Sequence, residues 1–558
     1  MRSLFFLLSA ALLICCSCGS NDVARQEVDD YKFDTLLITE ASNLAGLRFD
    51  SASVAMMTGN LTGNLRSYEQ MRRFDLDNSV APATLFNPVV NGVREPLFNH
   101  SSWLIPDNIE RPESNVDIAF MKVTELAALI RDRKITSVEL TNIYLERLRR
   151  YDDTLRCVAV ITEDLALMQA ERADRELAEG IYRGPLHGIP YGLKDLFATP
   201  GYPTTWGAAP YSDQVIDATA TVVARLEEAG AVLVAKLTLG SLAMGDLWYG
   251  GRTRNPWNLS QGSSGSSAGS AAATAAGLVG FAIGTETLGS IVSPSTRCGV
   301  SGLRPTFGRV SRYGAMALSW TMDKVGPMAR SAEDCAIVLE YIRGSDGKDL
   351  SVNDYPYFSR TGADIGGMRI GYVASYFGNR YETRPLDMAV LDILREAGAD
   401  PEPVDFDFSG IPVNSLRIIL NAEAAAAFDE LTRSRRDTLL TGQNRGDWPN
   451  IFRASRFIPA VEYIQANRFR TLLMHRMDEI MKDYDVVVTP SFGGAQLLVT
   501  NLTGHPCVVV PSGFRDGGTP ASISFLSNLY DEASALAVAA AFQRLSDHND
   551  RRPELFNR

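Results

Sequence analysis

The stretch GSSGSSAGSAAATAAG, residues 262–277, joins a run of Gly and Ser directly to a run rich in Ala. The first half is typical of a flexible linker, whereas the second half favours a helix. Three interpretations are open: a low-complexity linker, a loop that cradles phosphate ahead of a helix, and a strained turn that presents a serine nucleophile. The remainder of the chain decides between them.

Each interpretation makes a demand on the neighbouring sequence. A phosphate loop of the Walker type needs Lys and then Ser or Thr after the glycines, but Ala follows here. A linker would interrupt a core pattern that continues on both sides. The serine turn has a literal match in GSSAG, residues 265–269, with Ser267 at its centre, yet the preceding GGRTRNPWNLSQ, residues 250–261, contains no strand signal. All three interpretations are therefore weak when the stretch is taken alone.

Apolar runs of strand length alternate with helical patterns along most of the chain. Runs without strict alternation suit strands that are covered on both faces, as in an α/β sheet. The predicted helices include residues 135–152, where Thr136 and Glu139 have capping-box spacing, and residues 531–546. The predicted strands are AVLVAKL (231–237), VGFAIGTE (279–286), MRIGYV (368–373), YDVVVTP (484–490) and HPCVVVPSG (505–513).

Composition excludes several functional classes. The chain has 558 residues, of which 45% are hydrophobic, so it can bury a large core, and its formal net charge of -12 offers no basic field for nucleic acid. Only five His residues occur, and none has the spacing of a helical zinc site. We therefore expect no metal and no cofactor. Cysteines outside the N-terminus are scattered and are expected to be buried thiols: Cys157, Cys298, Cys335 and Cys507.

The N-terminus has the pattern of an export signal. MRSLFFLLSAALLICCSC, residues 1–18, combines Arg2 with an apolar core that is too short to span a membrane as a helix. Its end resembles a bacterial lipoprotein processing site with Cys18 as the lipidated residue. We therefore expect an exported protein of the cell envelope, facing the periplasm or the exterior, which touches the membrane only through a lipid anchor.

The stretch 262–277 can be interpreted when it is taken together with two other segments. These are HGIPYGLKDLFATPGYPTTWG (187–207) and GFAIGTETLGSIVSPSTRCGVSGLRPTFGRVS (280–311). Together the three resemble the amidase signature family of serine hydrolases. The resemblance implies an α/β fold in which a large mixed β-sheet is covered by helices on both faces. The resemblance spans residues 116–545, the predicted amidase signature domain. With the signal peptide (1–18) it leaves an N-terminal extension (19–115) and a C-terminal tail (546–558), so we expect four segments.

The resemblance further implies a Ser-Ser-Lys triad without histidine. Ser290 matches the nucleophile, Ser266 matches a bridging serine that follows a cis peptide bond, and Lys194 matches the general base. A lysine with its ordinary pKa of about 10.4 cannot accept a proton at neutral pH. Burial without a carboxylate partner favours the neutral amine, which could then take a proton from Ser266 while Ser266 takes one from Ser290.

The family's oxyanion hole is formed by backbone N–H groups, which correspond here to those of Thr287, Leu288, Gly289 and Ser290. This chain has Glu286 where Asp is common and Leu288 where a smaller residue is common. A backbone donor tolerates any side chain that permits the conformation. The Leu288 side chain is therefore expected to shape the substrate pocket. Separately, Leu242 in GSLAMGD, residues 240–246, is expected to line its acyl side.

The expected function is hydrolysis of linear amides through an acyl-enzyme on Ser290, with a small-molecule or peptide amide as substrate. Two alternatives stay open: the A subunit of a tRNA-dependent glutamine amidotransferase, and a non-catalytic scaffold that binds amides. The sequence does not identify the amide, the role of residues 19–115 or the quaternary state, for which a homodimer is one option.

Overall fold

The structure is a computed structural model that describes residues 33–74 and 76–558. The predicted signal peptide, with Cys18, lies outside the described residues. The chain divides into two compact units, Met1–Leu76 and Asp77–Arg558. The domain boundaries expected from the sequence stay a prediction.

The helices of the described residues begin with two in the first unit. Those two are capped by Asp34 and Asp50, whose carboxylates accept from backbone N–H groups of the first turn. In chain order the helices are α1 (Thr35–Leu44), α2 (Ser51–Met71), α3 (Asn115–Ala119), α4 (Val123–Arg131), α5 (Ser137–Leu155), α6 (Glu163–Ala178), α7 (Thr221–Glu228), α8 (Ala268–Ala275), α9 (Val292–Cys298), α10 (Ala332–Ile342), α11 (Ala374–Phe377), α12 (Arg384–Glu396), α13 (Ile418–Ala427), α14 (Asp429–Arg433), α15 (Trp448–Ser455), α16 (Ala460–Met481), α17 (Gln496–Thr503) and α18 (Glu532–Arg544).

All strands of the described residues lie in the second unit. They are β1 (Val158–Ile161), β2 (Pro190–Lys194), β3 (Val232–Leu237), β4 (Leu247–Trp248), β5 (Gly251–Arg252), β6 (Arg254–Asn255), β7 (Asn258–Gly262), β8 (Phe281–Glu286), β9 (Ser301–Arg304), β10 (Lys324–Ala329), β11 (Ile370–Val373), β12 (Glu402–Val404), β13 (Val486–Pro490), β14 (Cys507–Phe514) and β15 (Pro520–Ser527).

Eleven strands form one mixed sheet in the order β1-β3-β2-β8-β10-β9-β14-β15-β13-β11-β12. Strand β2 is parallel to both of its neighbours, β3 and β8, and β11 is parallel to β12 and β13. The other pairs are antiparallel, so the sheet is mixed, as expected. Strands β4 with β5 and β6 with β7 form two small separate ladders.

Both faces of the large sheet are buried. Successive side chains of a strand point to opposite faces, and in β8 Phe281 and Ile283 join one apolar cluster whereas Ala282 joins a second. In β3 Leu233 belongs to the first cluster and Val234 to the second. Two-sided burial explains why these strands read as continuous apolar runs.

Several local predictions agree with the structure, and one does not. Helix α5 begins after Thr136, whose hydroxyl accepts from the N–H of Glu139 at 3.0 Å. The predicted strands at 231–237, 279–286, 368–373, 484–490 and 505–513 correspond to β3, β8, β11, β13 and β14. The prediction that no strand precedes the Gly/Ser stretch is wrong, because β7 ends at Gly262. Strand β7 lies outside the large sheet and pairs with the short β6. Its sequence therefore lacks the apolar pattern by which a buried strand is predicted.

The C-terminal segment lies against helix α5. The guanidinium of Arg147 donates to the carbonyl oxygens of Gly277 at 2.8 Å and Phe556 at 2.8 Å. The buried Phe556 ring meets the edge of Tyr151 with centroids 4.9 Å apart. The end of the chain is therefore part of the packed second unit.

The expectation of buried thiols agrees with the structure, in which the four cysteines outside the N-terminal segment are buried and free. Within the described part of the chain, no helix combines the length and the apolar character needed to cross a membrane.

Candidate active site

Two parallel neighbouring strands bring the predicted catalytic residues to one edge of the sheet. Lys194 is the last residue of β2, and β8 ends at Glu286 just before the turn that carries Ser290. The carboxyl ends of parallel strands lie at the same edge, which is where α/β folds commonly place their sites. Sheet topology therefore places the lysine beside the serine turn.

Asp195 follows Lys194 in the chain but belongs to a different contact network. Its carboxylate pairs with the buried Lys236 at 2.8 Å and accepts from the N–H of Thr205 at 3.1 Å. Among the described residues, no carboxylate forms an ion pair with Lys194. The catalytic lysine candidate is thus buried without a neutralising partner.

The Lys194 amine is surrounded by hydroxyl groups. Its Nζ lies 2.8 Å from Ser266 Oγ, 3.0 Å from Ser267 Oγ and 2.8 Å from Thr285 Oγ1. Burial lowers the pKa of Lys194 to about 7, against a weaker opposite effect of the nearby Asp323 and Glu286. A large fraction of the amine is therefore neutral at neutral pH and can accept a proton.

The Gly/Ser stretch is a packed loop. The Gly265–Ser266 peptide bond is cis, at the position that the family resemblance implies. A Cβ on Gly265 would lie 1.9 Å from the carbonyl oxygen of Gly245, so only glycine fits there. The N–H of Ser264 donates to the Asp246 carboxylate at 3.0 Å. These contacts hold Ser266 against Lys194 and exclude the linker interpretation.

Ser267, the centre of the alternative serine turn, has its hydroxyl fully engaged. Its Oγ donates to the carbonyl oxygen of Thr285 at 3.1 Å and accepts from the N–H of Thr285 at 3.2 Å, besides its contact with Lys194. The residue is completely buried. A hydroxyl held on three sides is a poor nucleophile, which disfavours the turn interpretation and gives Ser267 a positioning role.

Ser290 lies in the turn between β8 and α9. It is 9% exposed, and its carbonyl oxygen accepts from the N–H of Ser267 at 3.2 Å, which ties the turn to the Gly/Ser loop. Gly289 has a φ of 83°, a left-handed conformation that favours glycine. No hydrogen bond within the described structure uses the N–H groups of residues 287–290. These amides are the ones that the resemblance assigns to the oxyanion hole.

Glu286 supports the far side of this turn. One carboxylate oxygen accepts from the N–H groups of Ile291 at 2.8 Å and Val292 at 3.0 Å, and the other accepts from Arg304 at 2.8 Å and Asn501 at 2.8 Å. Burial alone would raise the pKa of Glu286, but the Arg304 guanidinium and the hydrogen bonds lower it to about 2. The carboxylate is therefore charged and caps helix α9.

A cavity of about 450 Å³ lies beside the cluster. Thr285 and Thr287 form part of its wall, whereas Ser290, Ser266 and Lys194 do not. Thr285 and Thr287 therefore connect the cavity to the cluster of Lys194, Ser266 and Ser290. Much of the rest of its wall consists of residues 78–86 and of the loop that includes residues 312–318.

The two predicted substrate contacts lie elsewhere. Leu242 is fully buried, and its carbonyl oxygen accepts from the indole N–H of Trp448 at 2.9 Å, while its neighbour Ala243 lines the cavity. Leu288 is half-buried and packs against the larger apolar cluster. The structure does not bring either leucine to the wall of this cavity.

Three features of the site were missed in the sequence: the positioning contacts of Ser267, the acceptor role of Thr285 and the wall formed by 78–86. Ser267 and Thr285 lie inside the quoted motifs, but only the contacts reveal what they do. Residues 78–86 carry no motif and are distant in sequence from the cluster. Among the described residues there is no group of His, Cys, Asp and Glu that could hold a metal ion.

Comparison with known proteins gives consistent results. A family model described as Amidase matches residues 139–499. The chain is 35% identical over 473 residues to the A subunit of glutamyl-tRNA(Gln) amidotransferase from Roseiflexus sp. (strain RS-1), a match that covers 77% of this chain and 96% of that relative.

Solved structures give the same result at the level of the fold. Native peptide amidase from Stenotrophomonas maltophilia matches with a TM-score of 0.69 and 31% identity, over 77% of this chain and 97% of that chain. The A subunit of glutamyl-tRNA(Gln) amidotransferase from Thermotoga maritima matches with a TM-score of 0.65 and 25% identity, over 78% and 96%.

Proposed function

The chain belongs to the amidase signature family, and from that premise we propose that it cleaves the carbon–nitrogen bond of a linear amide through an acyl-enzyme on Ser290. One observation carries the proposal. Lys194 is fully buried, pairs with no carboxylate in the described part of the chain and lies 2.8 Å from Ser266 Oγ. Such an amine is a base at neutral pH, and the adjacent serine can relay a proton to it.

We infer the reaction from the contact between Lys194 and Ser266 together with the roles that the family resemblance implies for Ser266 and Ser290. Ser290 Oγ attacks the amide carbon and passes its proton to Ser266, as Ser266 passes its own to Lys194. The negative charge that develops on the substrate oxygen is stabilised by the backbone N–H groups of residues 287–290. The relay then runs backwards, so the leaving nitrogen gains the proton and departs as ammonia or an amine. Water enters by the same relay and releases the carboxylic acid from Ser290.

A second function is supported by the sequence relatives. Two proteins named as the A subunit of glutamyl-tRNA(Gln) amidotransferase are 35% and 34% identical to this chain and are covered over 96% and 98% of their length. In an enzyme of that kind, the same amide cleavage would act on glutamine and supply ammonia to an amidation on partner subunits. The identity and coverage favour this use over free hydrolysis, whereas the predicted signal peptide favours an exported amidase.

Ammonia release tests the shared chemistry. The purified protein is assayed on glutamine, C-terminally amidated peptides, aryl amides and fatty amides, beside Ser290→Ala. We expect release from at least one amide by the wild type and loss of at least about 10³-fold in Ser290→Ala. Equal rates for the two proteins on every amide would refute the proposal.

Covalent labelling separates the two serine assignments. A fluorophosphonate probe should label the wild type and Ser267→Ala, the latter more slowly, but not Ser290→Ala. The reverse pattern would make Ser267 the nucleophile.

Reconstitution distinguishes the two uses of the chemistry. The chain is mixed with the partner subunits of an amidotransferase, glutamine and glutamyl-tRNA(Gln). Amidation of the tRNA-bound glutamate supports the amidotransferase function, and hydrolysis without amidation supports the free amidase.

The predicted export and lipid anchor are tested by lipid labelling in bacterial cells. Incorporation of labelled palmitate into the wild type but not into Cys18→Ala is the expected result.

A further inference from the structure

Residues 78–86 form a wall of the cavity beside the catalytic cluster. We call this stretch, NSVAPATLF, the rim segment. Every one of its residues except Val80 lines the cavity, on whose wall Thr285 and Thr287 also lie. The rim segment precedes residue 139, where the family match begins. This wall is therefore supplied by a part of the chain outside the matched region.

The rim segment is anchored at its first residue. The side-chain amide of Asn78 donates to the carbonyl oxygen of Ala317 at 3.0 Å and accepts from the N–H of Ala317 at 2.7 Å. This two-bond pairing fixes both the position and the orientation of the amide. Ala317 itself lines the cavity, so the start of the rim segment is tied to another stretch of the cavity wall.

The last residue of the rim segment is anchored as well. The Phe86 ring lies edge-on to Phe307 with centroids 5.0 Å apart. The buried guanidinium of Arg470 lies 3.5 Å from the centroid of the Phe86 ring. Aromatic and cation–π contacts of this kind are attractive and depend on ring geometry, so they hold the Phe86 ring in place. The segment between the two anchors is therefore held across the cavity.

The side chains between the anchors are small or apolar. Ala81, Pro82, Ala83 and Leu85 line the cavity while staying exposed to solvent, as expected of residues at its rim. Other parts of the wall add the apolar Met316, Leu318 and Val325, and the lining also includes charged residues: Arg312, Asp323, Lys324, Lys348 and Asp349. A volume of about 450 Å³ falls within the ordinary range of small-molecule sites. The apolar stretches of the wall, which include the rim segment, thus suit an apolar group of limited size.

We propose that the rim segment is the specificity-determining wall of this enzyme and selects amides by the length of an apolar acyl group, which lies in the cavity between residues 78–86 and Thr287. The inference rests on the proposed amide cleavage at Ser290. A short acyl group would leave the rim segment untouched, whereas a longer one would pack against Ala81 and Ala83.

Binding measurements test the rim segment without requiring turnover. In a Ser290→Ala background, dissociation constants are measured for primary amides of linear acyl groups of increasing length. Ala83→Trp should weaken binding of the long members by about tenfold or more and leave the short members within about twofold. The matched control is Val80→Trp, which adds the same side chain at the one residue of the segment that does not line the cavity.

A second variant removes an anchor and leaves the other wall residues of the rim segment unchanged. Asn78→Ala frees the start of the rim segment, so the dependence of affinity on acyl length should flatten. The proposal is overturned if Ala83→Trp and Val80→Trp have the same binding profile, or if neither Ala83→Trp nor Asn78→Ala alters the length dependence, or if no amide binds.

Turnover by the protein with Ser290 intact is measured separately. Absence of ammonia release together with length-dependent binding would refute the proposed function and leave the rim segment as a binding wall. Ammonia release with unchanged binding profiles in the variants would refute only the inference about the rim segment.

Discussion

Lys194 and Asp195 are adjacent in sequence, yet their side chains enter two separate networks. The Lys194 amine contacts three hydroxyl groups and the carbonyl oxygen of Thr285, whereas Asp195 pairs with Lys236 at 2.8 Å. An aspartate beside the Lys194 amine would favour the ammonium form and remove the base. The pairing with Lys236 is therefore as important to the chemistry as the burial of Lys194.

The pH dependence of catalysis should report the state of Lys194. Burial lowers its pKa to about 7, below the ordinary value for lysine. Below that pH the amine is protonated and cannot accept a proton, so kcat/KM should rise as the pH increases through about 7 and then level off. The measurement is a pH profile of kcat/KM on one amide between about pH 5 and 9. A rate that does not change between pH 6 and 8 would contradict this role for Lys194.

Glu286 contributes to the stability of the fold through its buried ion pair with Arg304. Replacing it by Gln keeps the shape but leaves the Arg304 guanidinium buried without its carboxylate. Breaking a buried pair in this way should reduce the free energy of unfolding by about 3–5 kcal/mol, measured by urea denaturation. If Glu286→Gln unfolds at the same urea concentration as the wild type, the Glu286–Arg304 pair does not contribute this free energy to stability. Arg304→Met combined with Glu286→Gln should cost less than the sum of the two single changes.

At the scale of elements, helix α8 is packed closely against the end of strand β3. A Cβ on Gly269 would lie 2.4 Å from the carbonyl oxygen of Cys157 and 2.5 Å from the N–H nitrogen of Thr238. Both are backbone atoms, so they cannot rotate away. The helix therefore reaches this position only because its second residue has no side chain.

Gly269→Ala should consequently force α8 away from β3. We expect a loss of about 1–3 kcal/mol of stability, seen as a lower thermal midpoint. Gly367→Ala is the matched control, because a Cβ there meets nothing within 4 Å, and its effect should stay within about 0.5 kcal/mol. Equal midpoints for the two variants would show that α8 can shift at no cost.

The elements also show what can be predicted from sequence and why. Strands β3, β8, β11, β13 and β14 were predicted because burial on both faces makes them continuous apolar runs. Strand β10, KVGPMA, was missed because Gly326 and Pro327 are typical of turns. Pairing with β8 and β9 overrides that local preference.

The residues of the candidate site also fall into those that could be predicted from sequence and those that could not. Lys194, Ser266 and Ser290 were identified through motifs, and the structure places Lys194 against Ser266. The contacts of Ser267 were not predictable, since an isolated serine hydroxyl carries no pattern. The rim segment was not predictable either, because its relation to the site depends on a long-range pairing between Asn78 and Ala317.

At the scale of the whole molecule, the C-terminal residues complete the packing around α5. The Phe556 ring is fully buried, and its carbonyl oxygen accepts from Arg147 at 2.8 Å. Residues 554–558 therefore belong to the core of the second unit despite their position at the end of the chain.

Removing residues 554–558 should destabilise the protein. Exposing the Phe556 site costs about 1.5–3 kcal/mol in lost apolar burial, and Arg147 loses one of its three carbonyl partners. The check is the urea midpoint of the truncated chain beside Phe556→Ala in the full chain, which keeps the backbone carbonyl. If truncation leaves the midpoint unchanged, the tail contributes nothing to the core.

The Glu286 carboxylate, which caps α9, also joins two segments of the chain that are synthesised at different times. Its partner Asn501 is separated from it by 215 positions. A ribosome that has just completed Ser290 has already made Lys194 and Ser266 but not the residue that completes this cap. The Ser290 turn therefore gains this support only after Asn501 has been synthesised, so a nascent or truncated chain that ends before Asn501 carries the proposed nucleophile on a turn that lacks the contact.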